Sequence, residues 1–349
     1  MLSSIPYWER SHAAFSMKNL YLGIDTSNYR TSAAVVDSEG VILTQKAVLL
    51  DVPEGKRGLR QSEAFFMHSN RLPGFIEEIF GSADPACIKA VGVSERPRRI
   101  EGSYMPCFLA GVNAAREIAA ALKVPVYCFS HQEGHAAAVM ENGGNTPAQN
   151  TLFFHLSGGT TEALLCSPDD EGYRMDIVGG TRDISAGQLL DRFGVALEMP
   201  FPSGVYLDDM AYEVLEKAGF DTKKLPKTGV LPKIKCEEGY FNLSGAETRL
   251  MRYAGDPGDV PAADVIAELF ASISGLLINT ARYLSDRYSA DNIYMAGGVA
   301  SSRTFRAIAQ RSSLADINFG APELSGDNAA GTALLAKRID ETGNSNSGK

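Results

Sequence analysis

The chain has 349 residues, 44% of them hydrophobic, which is enough for two domains of about 150 residues each. Its net charge of −9 excludes a surface that attracts nucleic acid everywhere, so a large polyanionic partner needs a local basic patch or a helper protein. Its five cysteines form no C-x-x-C pair, which argues against a disulfide framework or a cysteine-based zinc site and favours a cytoplasmic location.

The sequence predicts neither a membrane span nor a secretory signal. No apolar stretch reaches the ~18 uncharged residues that a membrane-spanning helix needs. Residues 1–18 lack the continuous apolar core of a signal peptide. We therefore predict no membrane partner and expect residues 1–18 to form a poorly ordered extension.

The first predicted element is a β-hairpin. Leu20–Asp25 reads as a buried strand, Thr26–Thr31 as a turn and Ser32–Val36 as the returning strand. The same pattern recurs at Thr151–Cys166, where a strand enters the turn Ser157-Gly158-Gly159-Thr160-Thr161 and continues beyond it. The two hairpins indicate a weak internal repeat, with one copy in each half of the chain.

Helices and short apolar strands alternate after each hairpin. This alternation predicts an α/β fold with mixed sheets flanked by helices. Two similar lobes, each opened by a hairpin, favour a nucleotide held between them. The predicted helices are Ser62–Phe80, Pro106–Leu122, Ala262–Tyr288 and Thr304–Gln310, and the predicted strands are Ala90–Val93, Val126–Phe129 and Asn292–Ala296.

The domain boundaries follow from this order of elements. We predict an N-terminal lobe over residues 19–130 and a C-terminal lobe over 131–324. A C-terminal helix at 325–341 is predicted to pack back on the first lobe. The polar, Gly- and Pro-containing stretches Glu141–Gln149 and Gly219–Gly239 are predicted to be surface connections.

The sharpest chemical signal is His131-Gln132-Glu133-Gly134-His135. If a helix begins here, the two imidazoles lie four residues apart on one face and can bind one metal ion. The alternative is a pair of exposed histidines at a helix start. Asp327 is the best candidate for a third ligand, although it equally suits the N-cap of a helix over Asn328–Ile339.

This histidine pattern does not match a zinc protease. Zincins need H-E-x-x-H, whereas Glu133 stands two residues after the first histidine. Two histidines and one carboxylate would leave open coordination positions, which suits Fe(II) or Zn(II) acting as a Lewis acid on a carbonyl or phosphate oxygen.

Two turns are of the phosphate-binding type. Asp25-Thr26-Ser27 and the turn Ser157–Thr161 each offer backbone N–H groups and hydroxyls at a strand end. Ordinary hairpin turns have the same composition. Recurrence of the pattern in both halves favours the functional interpretation.

A third element is the Gly-Gly turn in Met295–Arg303. Gly297 and Gly298 let a nucleoside approach the backbone at the start of a helix, although the segment also suits a plain strand-to-helix turn. The chain contains neither a P-loop motif nor a Rossmann glycine motif, so neither type of nucleotide site competes.

The ordered set of motifs resembles one known family. Between Leu20 and Arg338 the chain carries the hairpin, H-x-E-G-H, S-G-G-T-T, G-G-T-R-D-x-x-A-G-x-x-x-D, N-L-S-G, A-G-G-V and D-N-A-A. In this order the motifs resemble the TsaD family, the tRNA threonylcarbamoyladenosine synthases once labelled glycoproteases. The resemblance implies the two-lobed actin-like ATPase (ASKHA) fold.

The resemblance also implies ligands and partners. It implies a metal at His131, His135 and Asp327, with Mg²⁺ as a further divalent cation to consider. It implies ATP or an acyl-adenylate as cofactor, with contacts at Ser157, Gly158 and Gly159 and at Asp191 and Gly204. Asp191 would accept hydrogen bonds from ribose hydroxyls, although it also suits an exposed helix carboxylate. The implied partners are tRNA, reached through partner proteins, and a related subunit with an actin-like fold.

Several positions depart from the family pattern. Thr160 stands where the family has histidine, Ser302 where an asparagine would meet the nucleoside, and Glu247 where the family has lysine. Arg96–Gly102 replaces a glycine-rich loop, and its arginines could contact a phosphate or simply lie in solvent. These departures put the acceptor substrate in doubt.

The hypothesis we favour is a transferase that moves a threonylcarbamoyl-type group from an acyl-adenylate to the amine of a tRNA adenosine, with the metal stabilising the oxyanion. One alternative is a diverged paralogue that carbamoylates a small molecule or hydrolyses ATP. Another is a non-catalytic nucleotide-binding subunit of a complex.

Overall fold

The computed structural model divides the chain into two compact units. It describes residues 19–27, 30–51, 59–145, 148–312, 317–326 and 329–347, with side chains up to residue 343. Unit 1 takes the described residues of Met1–Pro147, Pro168–Arg174 and Asp327–Lys349, and unit 2 takes those of Ala148–Ser167 and Met175–Gly326.

Unit 1 contains a five-stranded sheet in the order β3-β2-β1-β4-β5. The strand β1 pairs antiparallel with β2 and parallel with β4, and β4 pairs parallel with β5. The strands are β1 (Leu20–Asp25), β2 (Arg30–Asp37), β3 (Ile42–Leu49), β4 (Ile88–Arg96) and β5 (Val126–Ser130), and the helices are α1 (Gln61–Ser82), α2 (Phe108–Leu122), α3 (His131–Met140) and α9 (Ala330–Ser347).

Unit 2 contains a seven-stranded sheet in the order β12-β11-β6-β7-β8-β10-β9. The strand β6 pairs antiparallel with β7 and parallel with β11. The strands are β6 (Thr151–Leu156), β7 (Thr161–Asp169), β8 (Gly172–Thr181), β9 (Cys236–Glu237), β10 (Tyr240–Phe241), β11 (Asn292–Ala296) and β12 (Ile317–Phe319), and the helices are α4 (Ala186–Ala196), α5 (Gly204–Lys217), α6 (Ser244–Gly255), α7 (Ala262–Tyr288) and α8 (Arg303–Gln310).

The two sheets repeat one strand order. In each, the first strand of the unit lies between its antiparallel hairpin partner and a later parallel strand, and unit 2 adds β10 and β9 beyond this common set. The predicted internal repeat is therefore confirmed, and so is the prediction of mixed sheets flanked by helices.

The alternation of side chains along β1 determines what covers each face of the first sheet. Leu22 and Ile24 point to one face, into a core shared with Leu72 and Phe75 of α1. Gly23 points to the opposite face, against the backbone of α9. The sheet therefore lies between α1 and α2 on one side and α9 on the other.

The helix α9 also contacts α3, and this contact depends on two glycines. A Cβ added at Gly331 would lie 1.8 Å from the carbonyl oxygen of Gly134, so only glycine permits this approach. Packing of α3 on α9 keeps residues 131–145 within unit 1, whereas the sequence predicted a lobe boundary after residue 130.

The long helix α7 belongs to the core of unit 2. By length and composition it could cross a membrane, but 56% of its most apolar window is buried inside the protein. Its buried side chains, including Ile266, Phe270 and Leu277, pack in the hydrophobic core of that unit. This burial explains its apolar composition.

The glycine contact between α3 and α9 predicts a stability difference. Gly331→Ala should lower the free energy of unfolding by roughly 1–3 kcal/mol, because the added methyl group meets backbone that cannot move aside easily. The exposed helical residue Gly74, whose added Cβ would meet nothing within 4 Å, is the matched control. Gly74→Ala should leave stability unchanged or raise it by up to about 1 kcal/mol. Urea unfolding followed by circular dichroism measures both, and equal effects would contradict the packing argument.

Candidate functional site

The helix α3 begins where the sequence predicted, at His131. Ser130 caps it: the Ser130 hydroxyl accepts a hydrogen bond from the Glu133 N–H at 3.2 Å, and the Glu133 carboxylate accepts one from the Ser130 N–H at 2.8 Å. This capping box fixes His131 as the first helical residue, with His135 one turn later on the same face.

The two imidazoles form a relay with a buried carboxylate. His131 Nδ1 lies 3.1 Å from Asp25 Oδ1, and His131 Nε2 lies 3.0 Å from His135 Nε2. Burial by itself raises the pKa of Asp25, but the charge and hydrogen bond of His131 and the hydroxyl of Ser27 outweigh it, so the pKa lies below its usual value. An ionised carboxylate only accepts hydrogen bonds, so Nδ1 of His131 donates the proton in this contact. Whenever the ring is neutral, this tautomer has its lone pair on Nε2.

This geometry fits a divalent cation. Two nitrogen ligands at about 2.1 Å from a metal are about 3.0 Å apart at a right angle and about 3.4 Å apart in a tetrahedron. The observed 3.0 Å between the two Nε2 atoms suits adjacent ligands of an octahedral site. A carboxylate on the far nitrogen of a ligating histidine is the usual outer partner in such sites.

The third predicted ligand, Asp327, lies outside the described residues. Within the described part of the chain, no group of three or more His, Cys, Asp and Glu side chains could hold a metal ion. The structure thus brings His131 and His135 together and leaves the predicted set of three ligands untested.

The residues that end β1 and follow it form hydrogen bonds within unit 1. Asp25, Thr26 and Ser27 are all buried. The Thr26 hydroxyl donates to the Cys107 carbonyl at 3.2 Å and accepts from the Gly111 N–H at 3.1 Å, which anchors α2. Asp25, predicted at a phosphate-binding turn, contacts the ring of His131, whose Nδ1 lies 3.1 Å from Oδ1.

The corresponding turn in unit 2 is open. Gly158 and Gly159 are exposed between β6 and β7. The turn is held in place by the Ser157 N–H, which donates to the Thr160 carbonyl at 2.8 Å, and by the Ser185 hydroxyl, which donates to the Gly158 carbonyl at 2.7 Å. The Thr160 N–H in turn donates a hydrogen bond to the Ser157 hydroxyl at 3.1 Å.

A cavity of about 470 Å³ lies beside this turn within unit 2. Its size falls in the range of small-molecule and cofactor sites. It brings together five of the predicted nucleotide-binding residues with side chains that the sequence did not single out. Its lining includes the predicted residues Gly158, Asp191, Gly204, Gly298 and Ser302 together with Asp208, Val205 and Phe270.

Gly297 shapes this cavity without lining it. Its φ is +103°, and an added Cβ would lie 2.3 Å from the Leu156 carbonyl oxygen. The backbone therefore turns tightly against β6, which leaves Gly298 facing the cavity, where an added Cβ would meet nothing within 4 Å.

Carboxylates hold the helix starts around this cavity. Asp191 Oδ1 accepts hydrogen bonds from the N–H groups of Ser203 at 2.8 Å and Gly204 at 3.2 Å, at the beginning of α5. Asp208 accepts from the Ser302 hydroxyl at 2.7 Å and from the Arg303 N–H at 2.8 Å, at the beginning of α8. Both acids stabilise helix N-termini. The sequence did not single out Asp208, because its partner Ser302 lies 94 positions away along the chain.

The departures from the family pattern also have internal partners. The Ser302 hydroxyl caps α8 as well as bonding to Asp208. Glu247 pairs with Arg192 at 2.7 Å. In the arginine cluster of Arg96–Gly102, Arg99 binds both oxygens of Asp169 at 2.8 and 3.0 Å and pairs with Glu171. Arg99 is therefore committed to acidic side chains of its own chain.

Solved structures with a similar backbone show the fold. HypF from T. kodakarensis matches 94% of this chain and 48% of its own, with a TM-score of 0.59 and 13% identity. Component A of the (R)-2-hydroxyglutaryl-CoA dehydratase of Acidaminococcus fermentans matches 92% of this chain and 99% of its own, with a TM-score of 0.51 and 16% identity. At such identities the likeness shows the fold alone, which is the expected actin-like ATPase fold.

Sequence comparison shows the family. The model of the TsaD family, described as tRNA N6-adenosine threonylcarbamoyltransferase, matches residues 49–334, and the chain belongs to this family. Curated proteins of that name are 29% identical over 339 residues in Halalkalibacterium halodurans (93% of both chains) and 28% identical over 289 residues in Thermotoga neapolitana (82% of both chains). Family membership makes the chain an acyltransferase with a nucleotide-binding fold.

The exposed position of Gly298 predicts a selective loss of binding. Gly298→Leu should fold normally, because the backbone has room for a side chain there, but the side chain should fill the cavity and weaken ATP binding at least about tenfold. Calorimetric titration with a non-hydrolysable ATP analogue measures this loss. Gly81→Leu, at another open glycine, is the control, and unchanged binding by the Gly298 variant would exclude this cavity as the nucleotide site.

The burial of His68 predicts that the stability of the protein depends on pH. The Nδ1 atom of His68 lies 2.8 Å from the Thr31 hydroxyl. Burial is the main cause that lowers the pKa of His68 to about 4; the charge of Asp25 raises this pKa, and the charge of Arg71 lowers it further. The unfolded chain binds a proton near pH 6.5, so the free energy of unfolding should fall as the pH drops from about 6.5 towards 4.

The effect of His68 should amount to about 2 kcal/mol between pH 7 and pH 5. His68→Gln removes the titrating group and should lose that part of the pH dependence. Denaturant unfolding of both proteins at the two pH values measures the difference, and parallel pH dependences would contradict the assignment.

Proposed function

We propose that this chain transfers a threonylcarbamoyl group from an acyl-adenylate to the amine of a tRNA adenosine. The observation that carries the proposal is the relay of Asp25, His131 and His135 in a member of this transferase family. In this proposal His131, His135 and Asp327 hold a divalent cation, Fe(II) or Zn(II), with Mg²⁺ serving the nucleotide.

The cavity of unit 2 supports binding of the adenylate moiety. Gly158 and Gly298 leave space for close approach of a nucleoside, and Val205 and Phe270 supply apolar surface for a base. Asp191 uses Oδ1 on backbone N–H groups, so its other oxygen would accept a ribose hydroxyl. The exposed turn at Gly159 would receive the phosphate.

The chain's own residues would prepare the cation site. The Asp25 carboxylate fixes the proton of His131 on Nδ1, so its Nε2 lone pair faces His135. A bound divalent cation would supply Lewis-acid stabilisation of negative charge on a carbonyl oxygen. The capping box at Ser130 keeps both rings in register on α3.

Partners and location follow from the same proposal. Bacterial relatives named for a tRNA reaction support a cytoplasmic location and a tRNA substrate. A related actin-like subunit is a further proposed partner. It would find apolar surface at a groove of about 420 Å³ between α1 and α2, which is lined by Leu72, Ile76 and Ile118 among others.

A second candidate function is favoured by the departures at Thr160, Ser302 and Glu247. The Thr160 N–H, the Ser302 hydroxyl and the Glu247 carboxylate each bond to a neighbouring residue within unit 2. A diverged acceptor, such as a small-molecule amine, would keep the adenylate and cation sites and change only the group that attacks.

Substitution of a cation ligand tests the proposal. His131→Ala should lose the metal bound by chelator-free protein, and it should lower transfer to unmodified tRNA at least about a hundredfold. Binding of an ATP analogue should stay unchanged. Metal is measured by elemental analysis, and transfer by mass spectrometry of digested tRNA after addition of the acyl-adenylate and the partner proteins.

Asp25→Asn and Asp51→Asn form a matched pair for this test. The first removes the carboxylate behind His131 and should weaken metal binding about 10–100-fold, whereas the second changes an exposed acid and should have no effect. Loss of metal with unchanged transfer would contradict the cation's role. Transfer to small amines but not to tRNA would favour the second candidate function.

A further inference from the structure

A lysine-rich stretch stands out in this acidic chain. Residues 222–236 contain five lysines and no acidic residue, although the whole chain has a net charge of −9. We call this stretch the lysine segment. Its lysines are Lys223, Lys224, Lys227, Lys233 and Lys235, and all five are exposed.

The lysine segment is anchored to unit 2 by its apolar side chains. Leu225, Val230, Leu231 and Ile234 pack against the core of that unit. Because the apolar side chains point inward, the lysines between them point to solvent. The arrangement also leaves the segment without an apolar face of its own that could enter a lipid bilayer.

Hydrogen bonds fix the backbone of the lysine segment. The guanidinium of Arg249 donates to the carbonyl oxygens of Val230 and Gly229, both at 3.1 Å. The carboxylate of Glu268 accepts from the N–H and the hydroxyl of Thr228. The positive charges are therefore held at defined positions.

Two of the lysines line a pocket of about 320 Å³ together with an arginine and an aromatic ring. Lys233, Lys235 and Arg182 contribute positive charge, and Glu237 is the acidic side chain in the lining. The guanidinium of Arg182 stacks 4.8 Å from the centre of the Tyr240 ring. A flat cation on an aromatic ring beside lysines suits a nucleotide unit, with its phosphate on the cations.

Two nearby acidic groups, those of Asp183 and Asp221, have internal partners. Asp183, next to Arg182, accepts hydrogen bonds from the N–H groups of Leu243 at 2.8 Å and Ser244 at 3.0 Å. Lys224 lies 3.9 Å from Asp221. Among the described residues, no ion pair within 4 Å involves the other four lysines of the segment. The positive charge is therefore available to an external anion.

A short loop connects this pocket to the turn Ser157–Thr161 of unit 2. The loop after β8 contains Arg182, which lines the basic pocket, and reaches Ser185, whose hydroxyl donates to the Gly158 carbonyl at 2.7 Å. The next residue, Ala186, donates its N–H to the Thr161 hydroxyl at 2.9 Å. The residue Arg182, where an anion would bind, is thus only a few positions in sequence from residues that contact the turn proposed to receive the phosphate of the adenylate.

We propose that the lysine segment and its pocket bind the phosphate backbone of the tRNA substrate. The proposal rests on the transferase function proposed above and names the surface that receives its polyanionic substrate. Phosphate contacts of this kind provide affinity and register without reading sequence.

Neutralising two pocket lysines tests this surface. Lys233→Gln/Lys235→Gln in the full chain should bind a labelled, unmodified tRNA transcript at least about tenfold more weakly at 0.1 M salt. The slope of log affinity against log salt should become less steep by about 1.5–2, because two phosphate contacts are lost. Fluorescence anisotropy at several salt concentrations measures both quantities.

The matched control is Lys89→Gln/Lys217→Gln, which removes the same charge at two exposed lysines outside the segment. It should bind tRNA like the wild type, and both variants should bind an ATP analogue normally. Equal weakening in both double variants would show a general charge effect and overturn the proposal.

The remaining outcomes separate this proposal from the proposed function. Suppose that the wild type binds and modifies tRNA while the Lys233→Gln/Lys235→Gln variant binds tRNA equally well. That result would overturn the proposed tRNA surface but would leave the transferase function in place. A wild type that neither binds nor modifies tRNA, but transfers the group to small amines, would overturn both. Binding of wild type to anionic phosphatidylserine vesicles in place of tRNA would also overturn the RNA assignment.

Discussion

The fully buried carboxylate of Asp25 is the constraint on which unit 1 depends. A buried charge is costly unless a partner compensates it, and here the ring of His131 and the hydroxyl of Ser27 do so. Because β1 ends at Asp25 and α3 begins at His131, this contact joins the first strand of the sheet to the helix that carries both imidazoles. With its proton on Nδ1, the neutral form of the ring has Nε2 as an acceptor, so one hydrogen bond stabilises the fold and would prepare the proposed cation site.

The second unit uses the same strand order for different chemistry. After β6 the chain exposes glycines where the first unit buries an acid, and its carboxylates at Asp191 and Asp208 bind helix N-termini instead of histidines. Backbone N–H groups and small residues suit a nucleotide, whereas a buried carboxylate behind imidazoles suits a cation. The repeated sheet thus provides two strand ends, and the side chains at the turns give each end its own chemistry.

Charge distribution explains how an acidic chain can belong to a tRNA-modifying family. The net charge of −9 would repel a polyanion at long range, but electrostatic contacts are screened within about 10 Å at moderate salt, so the local charge governs docking. The lysine segment concentrates positive charge on one anchored stretch. In contrast, Arg99, in the other basic cluster that the sequence suggested, is neutralised by Asp169 and Glu171.

Local patterns in the sequence determined the elements that depend on neighbouring residues alone. The bounds of β1, β11 and α7 were predicted as observed, and the spacing of His131 and His135 implied their shared helix face. Helices α4, α5 and α6 were not predicted, and neither was β3, whose residues lie half-buried or exposed at a sheet edge and carry little hydrophobic signal. Only the tertiary structure brought Asp25 to His131, 106 positions away along the chain, and Asp208 to Ser302. The order of strands in a sheet decides which distant side chains meet, and local periodicity does not encode that order.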